Sequence, residues 1–313
     1  MSAPKQPLIK RLLIYQKERF PLLVHIPLIA AFSFSAIGFS RACRGENDFI
    51  AGADYLACVV TNVILFFMLR VSDEHKDKED DALYRSYLPV PRGLVSLKDL
   101  SVPAWVLFGC ATLINVIYYP SLLVLYSAMM VYLLLMRYEF FVPGWLKKHQ
   151  VAYIVSHMMI IPLADVYASS YDWKLENAGA PLGLIFFFVV SFLNGIVLEV
   201  GRKLRVTETE EPGVVSYTKL WGLKAAPATW LVILTVNLLF AITAVHYANY
   251  SSVAFIALAV VYILSAIPAI RFTLQPTASK TKAIEVMSLV WALCMYLILG
   301  GIPMLTNIIN GGT

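Results

Sequence analysis

Long apolar runs alternate with short polar, charged connections along this chain of 313 residues, and the runs have the length of a bilayer crossing rather than of a soluble core helix. Nine segments can each span about 30 Å of hydrocarbon as a helix. They run from Pro21 to Ser40, Ile50 to Leu69, Val102 to Tyr119, Ser121 to Met136, Val151 to Ala168, Leu182 to Leu198, Pro227 to Tyr247, Ser252 to Ile270 and Ala283 to Leu305. The third and fourth meet at Tyr118-Tyr119-Pro120, which predicts a tight turn. The pattern predicts an all-α polytopic membrane protein. A polar, charged connection follows both the second and the sixth run, which suggests one transmembrane domain over 1–313 made of two related halves, about 20–140 and 150–305.

Composition agrees: 59% of residues are hydrophobic and 14% charged, too apolar for a soluble domain of this length. The first run exceeds a signal-peptide core and lacks a small-residue cleavage site, so it is expected to be retained. Charge then orients the chain, because Lys and Arg resist translocation. Of the 25 basic residues, 22 fall in the N-terminal arm or after the second, fourth, sixth and eighth runs; only Arg41, Arg44 and Lys174 fall on the other side. The expected N-terminus is therefore cytoplasmic. The net charge of +5 is spent on topology and on attraction to anionic lipid or diphosphate, with nothing that points to nucleic acid. Cys43, Cys58, Cys110 and Cys294 are scattered and read as apolar filler.

The densest chemistry lies at the end of the second run, in Arg70-Val-Ser-Asp-Glu-His-Lys-Asp-Lys-Glu-Asp-Asp81. Asp73, Glu74, Asp77, Asp80 and Asp81 repel one another unless a positive charge sits among them. On a continuous helix Glu74, Asp77 and Asp81 share one face. Oxygen donors so placed suit Mg²⁺, which keeps some of its waters and bridges one or two carboxylates to a substrate phosphate.

A second cluster closes the sixth run: Asn194, Glu199, Arg202, Lys203 and Arg205, then Glu208, Glu210 and Glu211. A carboxylate at Glu199's depth needs a partner, and Arg202 and Lys203 stand at i,i+3 and i,i+4. Inside the fifth run, His157 and Asp165 are eight residues apart on similar faces, where each could orient an acceptor or take a proton, unless Asp165 lies solvated at the run's end. Asn62, Asn115 and Asn194 are candidate cavity-wall or interhelical hydrogen-bonding residues.

These residues resemble the UbiA superfamily of intramembrane prenyltransferases. Its first motif, Asn-Asp-x-x-Asp-x-x-x-Asp, corresponds to Asp73-Glu74-His75-Lys76-Asp77-Lys78-Glu79-Asp80-Asp81, with Asp77 and Asp81 matching and Asp73 and Glu74 substituted. A basic residue followed by Leu-Pro-x-Gly resembles Arg85 and Leu88-Pro89-Val90-Pro91-Arg92-Gly93. The second motif is altered: the frame of Glu199-Val200-Gly201-Arg202-Lys203 and Gly213-Val214-Val215-Ser216 persists without its aspartates, and Glu208, Glu210 and Glu211 substitute only with a shift of register.

The resemblance implies nine transmembrane helices around a central cavity, Mg²⁺ as cofactor, and a prenyl diphosphate substrate in the lipid bilayer. Metal ligands would be Asp73, Glu74, Asp77, Asp81, Glu208 and Glu210. Arg85, Arg202, Lys203, Glu199 and Asp165 would serve catalysis, and Asn62, Arg92, His157 and Asn194 the substrate. Leaving-group charge dominates the barrier to cleaving an allylic diphosphate, so metal and basic residues act there, while a dry aromatic pocket protects the cation. Phe66, Phe67, Tyr118, Tyr119, Tyr153 and Phe186-Phe187-Phe188 are available for that pocket. An aromatic acceptor is the commoner family chemistry. The alternatives are a terpene cyclase without an acceptor and, in another class, a cation transporter using Asp165 and Glu199. The expected location is the bacterial cytoplasmic membrane.

Overall fold

A computed structural model describes residues 6–210, Gly213 and 216–311 of the chain. Among the described residues nine helical runs are long and apolar enough to cross a membrane: Leu22–Arg44, Gly52–Lys76, Leu97–Tyr118, Pro120–Arg137, Gln150–Trp173, Gly183–Arg202, Ala225–Tyr247, Ser252–Leu274 and Ala278–Asn310. The protein is an all-α integral membrane protein. Each apolar run of the sequence falls on one of these helices, passing its ends by no more than two residues, because a backbone in lipid must satisfy its own hydrogen bonds.

The helices are numbered in chain order. The amphipathic α1 (Leu8–Arg19) precedes α2 (Leu22–Arg44) and α3 (Gly52–Lys76), and the short α4 (Lys78–Tyr84) follows. Next come α5 (Leu97–Tyr118), α6 (Leu123–Arg137) and α7 (Pro143–Lys148). The fifth crossing is two helices, α8 (Gln150–Met158) and α9 (Ile160–Trp173), broken at Met159. Pro162 in the first turn of α9 explains the break, since it has no N–H for the carbonyl of residue 158. After α10 (Gly183–Arg202) and α11 (Tyr217–Trp221), the long helices α12 (Ala225–Tyr247) and α13 (Ser252–Leu274) lead to the last crossing. That crossing is α14 (Ala278–Tyr296), a π-turn over Leu297–Gly301, and α15 (Ile302–Gly311). The expected turn at Tyr119-Pro120 is present, as a 3₁₀ turn over Pro120–Leu122.

The chain divides into two compact units. The first holds the residues up to Ala30 together with Gly52–Leu146; the second holds Ala31–Ala51 with Lys147 onward. In the first, α3 packs on α5 and α6 around Leu65, Met68, Leu100, Ala111, Met129 and Leu133. In the second, α10 packs on α12, α14 and α9, with Phe187, Val197, Trp230 and Trp291 buried. Small residues permit the tightest approaches there. A Cβ on Gly300 would stand 1.8 Å from the backbone oxygen of Ser35, and one on Gly201 2.0 Å from Ser288 Oγ.

Candidate functional site

The helix α3 runs past its apolar stretch because the charges that follow find partners. Ser72 donates back to the carbonyl of Met68 at 2.8 Å, and Arg70 lies one turn before Glu74. The expected continuous helix is broken. Asp77, at φ −88° and ψ 6°, separates α3 from α4, although its amide still reaches the carbonyl of Asp73 and the amide of Asp81 reaches its own. Asp73 and Glu74 thus close α3 and Asp80 and Asp81 lie in α4, with Asp77 between them.

Glu74 and Asp81 are each only 2% accessible. Three donors converge on Oε1 of Glu74: Arg19 Nε at 2.8 Å, the hydroxyl of Tyr15 at 3.4 Å and an Arg70 nitrogen at 3.5 Å. Arg85 donates to Asp81 at 2.8 Å. Asp73 takes Lys76 at 3.4 Å and Arg70 at 3.9 Å. Three acids therefore face four bases. Asp77 is half-buried. Burial pushes its carboxyl above the ordinary carboxylate value; Lys76 opposes that, Asp73 and Asp81 add to it, and Arg70 opposes it. Burial also raises Asp81, against the pull of Arg85 and Arg19. Asp80 is exposed.

Sequence reading singled out Arg85 but not Tyr15, Arg19 or Arg70. The i,i+4 spacing of Arg70 and Glu74 was an available signal; the long-range contact of Arg19 left none. Arg92 is exposed and donates to Glu18 at 2.7 Å. Asn62 is buried within the first unit, with its amide near Cys58. Oxygen donors of this kind suit a hard divalent cation, which would relieve the repulsion that Asp73 and Asp81 add to the burial of Asp77. Yet among the described residues no three acidic, His or Cys groups stand together as a ready ligand set. Arginines hold those places.

In the second unit Glu199 is buried and ion-paired as its spacing suggested, to Arg202 at 2.5 Å and Lys203 at 2.6 Å, with the Tyr217 hydroxyl at 3.5 Å. Glu208 is exposed, and Glu210 accepts from Ser216. Glu211, Val214 and Val215 lie outside the described residues. Asp165 is not solvated at a helix end. It is buried, and its Oδ2 accepts from Ser191 and, at 2.6 Å, from Tyr296. Ser191 and Tyr296 also lie 2.8 Å apart and line a narrow crevice with Phe187, Asn194 and Leu299. Asn194 pairs with Asn237 at 2.8 Å. His157 is buried beyond the Met159 break, stacked on Tyr153 at 4.0 Å between ring centroids.

Arg41 and Arg44, read from sequence as topology markers, do more. Asp172 is fully buried and accepts from Ser40 at 2.6 Å, Arg41 at 2.9 Å and Arg44 at 2.6 Å. Arg41 reaches Asp48 and Glu176 as well. This network joins the last turns of α2 and α9.

No family model matches the sequence, and no curated protein matches it. A solved structure of digeranylgeranylglyceryl phosphate synthase in membranes is similar in fold: its TM-score to this chain is 0.65, with 14% sequence identity over 94% of this chain and 99% of that one.

Proposed function

We propose that this protein is a Mg²⁺-dependent intramembrane prenyltransferase of UbiA type, which ionises a polyprenyl diphosphate and passes the prenyl group to an acceptor, in a bacterial cytoplasmic membrane. The observation that carries the reading is the group at the end of α3, where Glu74, Asp77 and Asp81 stand among Arg19, Arg70 and Arg85. That mixture of acids and arginines suits a metal diphosphate better than either partner alone: carboxylates take the cation, and guanidiniums take phosphate oxygens through paired N–H donors. The motif resemblance from Asp73 to Gly93 and the fold similarity to digeranylgeranylglyceryl phosphate synthase support it.

Glu74 and Asp77, with Asp73 and Asp81, would hold the cation, and Mg²⁺ when bound supplies charge neutralisation to the departing diphosphate. Arg85 and Arg70 orient and neutralise the phosphate oxygens. The apolar helices exclude the water that would quench an allylic cation. The test is diphosphate release and product mass from protein in nanodiscs given prenyl diphosphates of several lengths, with an aromatic acid, a glyceryl phosphate or no acceptor. Release that requires Mg²⁺ and disappears in Asp77→Ala is expected. Absence of release with every prenyl diphosphate, or release indifferent to Asp77→Ala, would overturn the proposal.

A further inference from the structure

Helix α1 joins the membrane helices through only Phe20 and Pro21, yet its side chains reach Glu74 at the end of α3 and the stretch beyond it as far as Asp99. Arg11 near its start donates to Asp99 and to the carbonyl of Leu94, both at 3.0 Å. Glu18 accepts from Arg92 at 2.7 Å, and Arg19, the last residue of α1, reaches Glu74. Tyr15 and Phe20 are its buried anchors. Part of α1 faces outward: Leu8, Ile9 and Leu13 are exposed, as are Lys10 and Lys17. Apolar residues interleaved with lysines are the composition of a helix that rests in a headgroup layer, so α1 has a second place to lie when released.

The contact itself opposes metal loading. Arg19 puts a full positive charge 2.8 Å from Oε1 of Glu74, an oxygen already shared with Arg70 and Tyr15, and the same charge acts on Asp81. A divalent ion on that carboxylate and a guanidinium beside it repel at close range in a partly desolvated place. The carboxylate can hold one cation well, not both.

We propose that α1 is an autoinhibitory clasp on the acids, with Arg19 serving as internal counter-ion to Glu74 until a divalent cation replaces it and frees the end of α1. The inference rests on the metal reading above, and the experiment separates the two. Mn²⁺ is the probe, its binding followed by electron paramagnetic resonance on the full chain in nanodiscs, beside tryptic cleavage after Lys17.

Arg19→Gln is expected to bind Mn²⁺ about tenfold more tightly than the unaltered chain, a factor equal to about 1.4 kcal/mol. Removing a charge near the acids would by itself tighten binding, so Arg11→Gln is the discriminating variant. It loosens α1 at the Asp99 end and leaves the acids and Arg19 in place. The clasp requires Arg11→Gln to tighten Mn²⁺ binding severalfold and to speed cleavage at Lys17, and requires Mn²⁺ to speed that cleavage in the unaltered chain. Arg11→Gln binding Mn²⁺ as the unaltered chain does, or cleavage indifferent to metal, overturns the clasp and leaves the metal reading standing. Absence of Mn²⁺ binding in all three chains overturns both.

Discussion

Asp77→Asn should stabilise the metal-free protein while removing its response to Mg²⁺. The backbone hydrogen bonds from Asp77 to Asp73 and from Asp81 to Asp77 keep the three carboxylates one turn apart in succession. Asp77 therefore has a like charge at i−4 and another at i+4, each unfavourable by about 0.2–0.5 kcal/mol. Relief of both amounts to about 0.4–1 kcal/mol, less whatever attraction to Lys76 and Arg70 is lost, and burial of the charge adds to the gain. The sign with pH follows from the raised carboxyl. A group that binds its proton more tightly folded than unfolded favours the fold at low pH, and that advantage is lost as pH rises through its folded value. The difference between Asp77→Asn and the unaltered chain should thus be largest above that raised value and vanish below the ordinary carboxylate range. The assay is the thermal midpoint of detergent-purified protein across pH, with and without Mg²⁺. Mg²⁺ should raise the midpoint of the unaltered chain only. A variant less stable than the unaltered chain at neutral pH, or one stabilised equally by Mg²⁺, would refute the reasoning.

Two further outcomes concern the second unit. Gly300→Ala places a methyl group 1.8 Å from the backbone oxygen of Ser35, contact that neither backbone can absorb cheaply; a loss of about 3 kcal/mol in unfolding free energy in mixed micelles is expected. Arg41→Met leaves the buried Asp172 with Arg44 and Ser40 alone and should cost about 2–4 kcal/mol, most of it recovered when Asp172→Leu is added, as a double-mutant cycle would show.

The nine crossings were legible because bilayer thickness fixes their length and lipid forbids polar interruptions. The turn at Pro120 was legible for the same reason that Pro punctuates any helix. The break at Met159 had its signal in Pro162 and was missed because the apolar run continues across it. Around Glu74 the sequence showed the acids, Arg85 and, through its i,i+4 spacing, Arg70, while burial and the arginine of α1 were hidden. Exposure of a carboxylate cannot be judged without knowing which distant base approaches it, and Arg19 lies 55 residues away. Asp165 was ambiguous for a like reason: its partners Ser191 and Tyr296 come from two later helices. Asp172 drew no notice at all, since a lone acid at a helix end normally meets water.

The bonds from Ser40, Arg41 and Arg44 to Asp172 weld the tail of α2 to the tail of α9, and the interruption at Met159 lies just thirteen residues back along the same crossing. That pairing anchors one end of a crossing whose helical ladder is interrupted midway, so any bending of this segment would fall at Met159, with α9 held and α8, carrying His157 and Tyr153, on the free side.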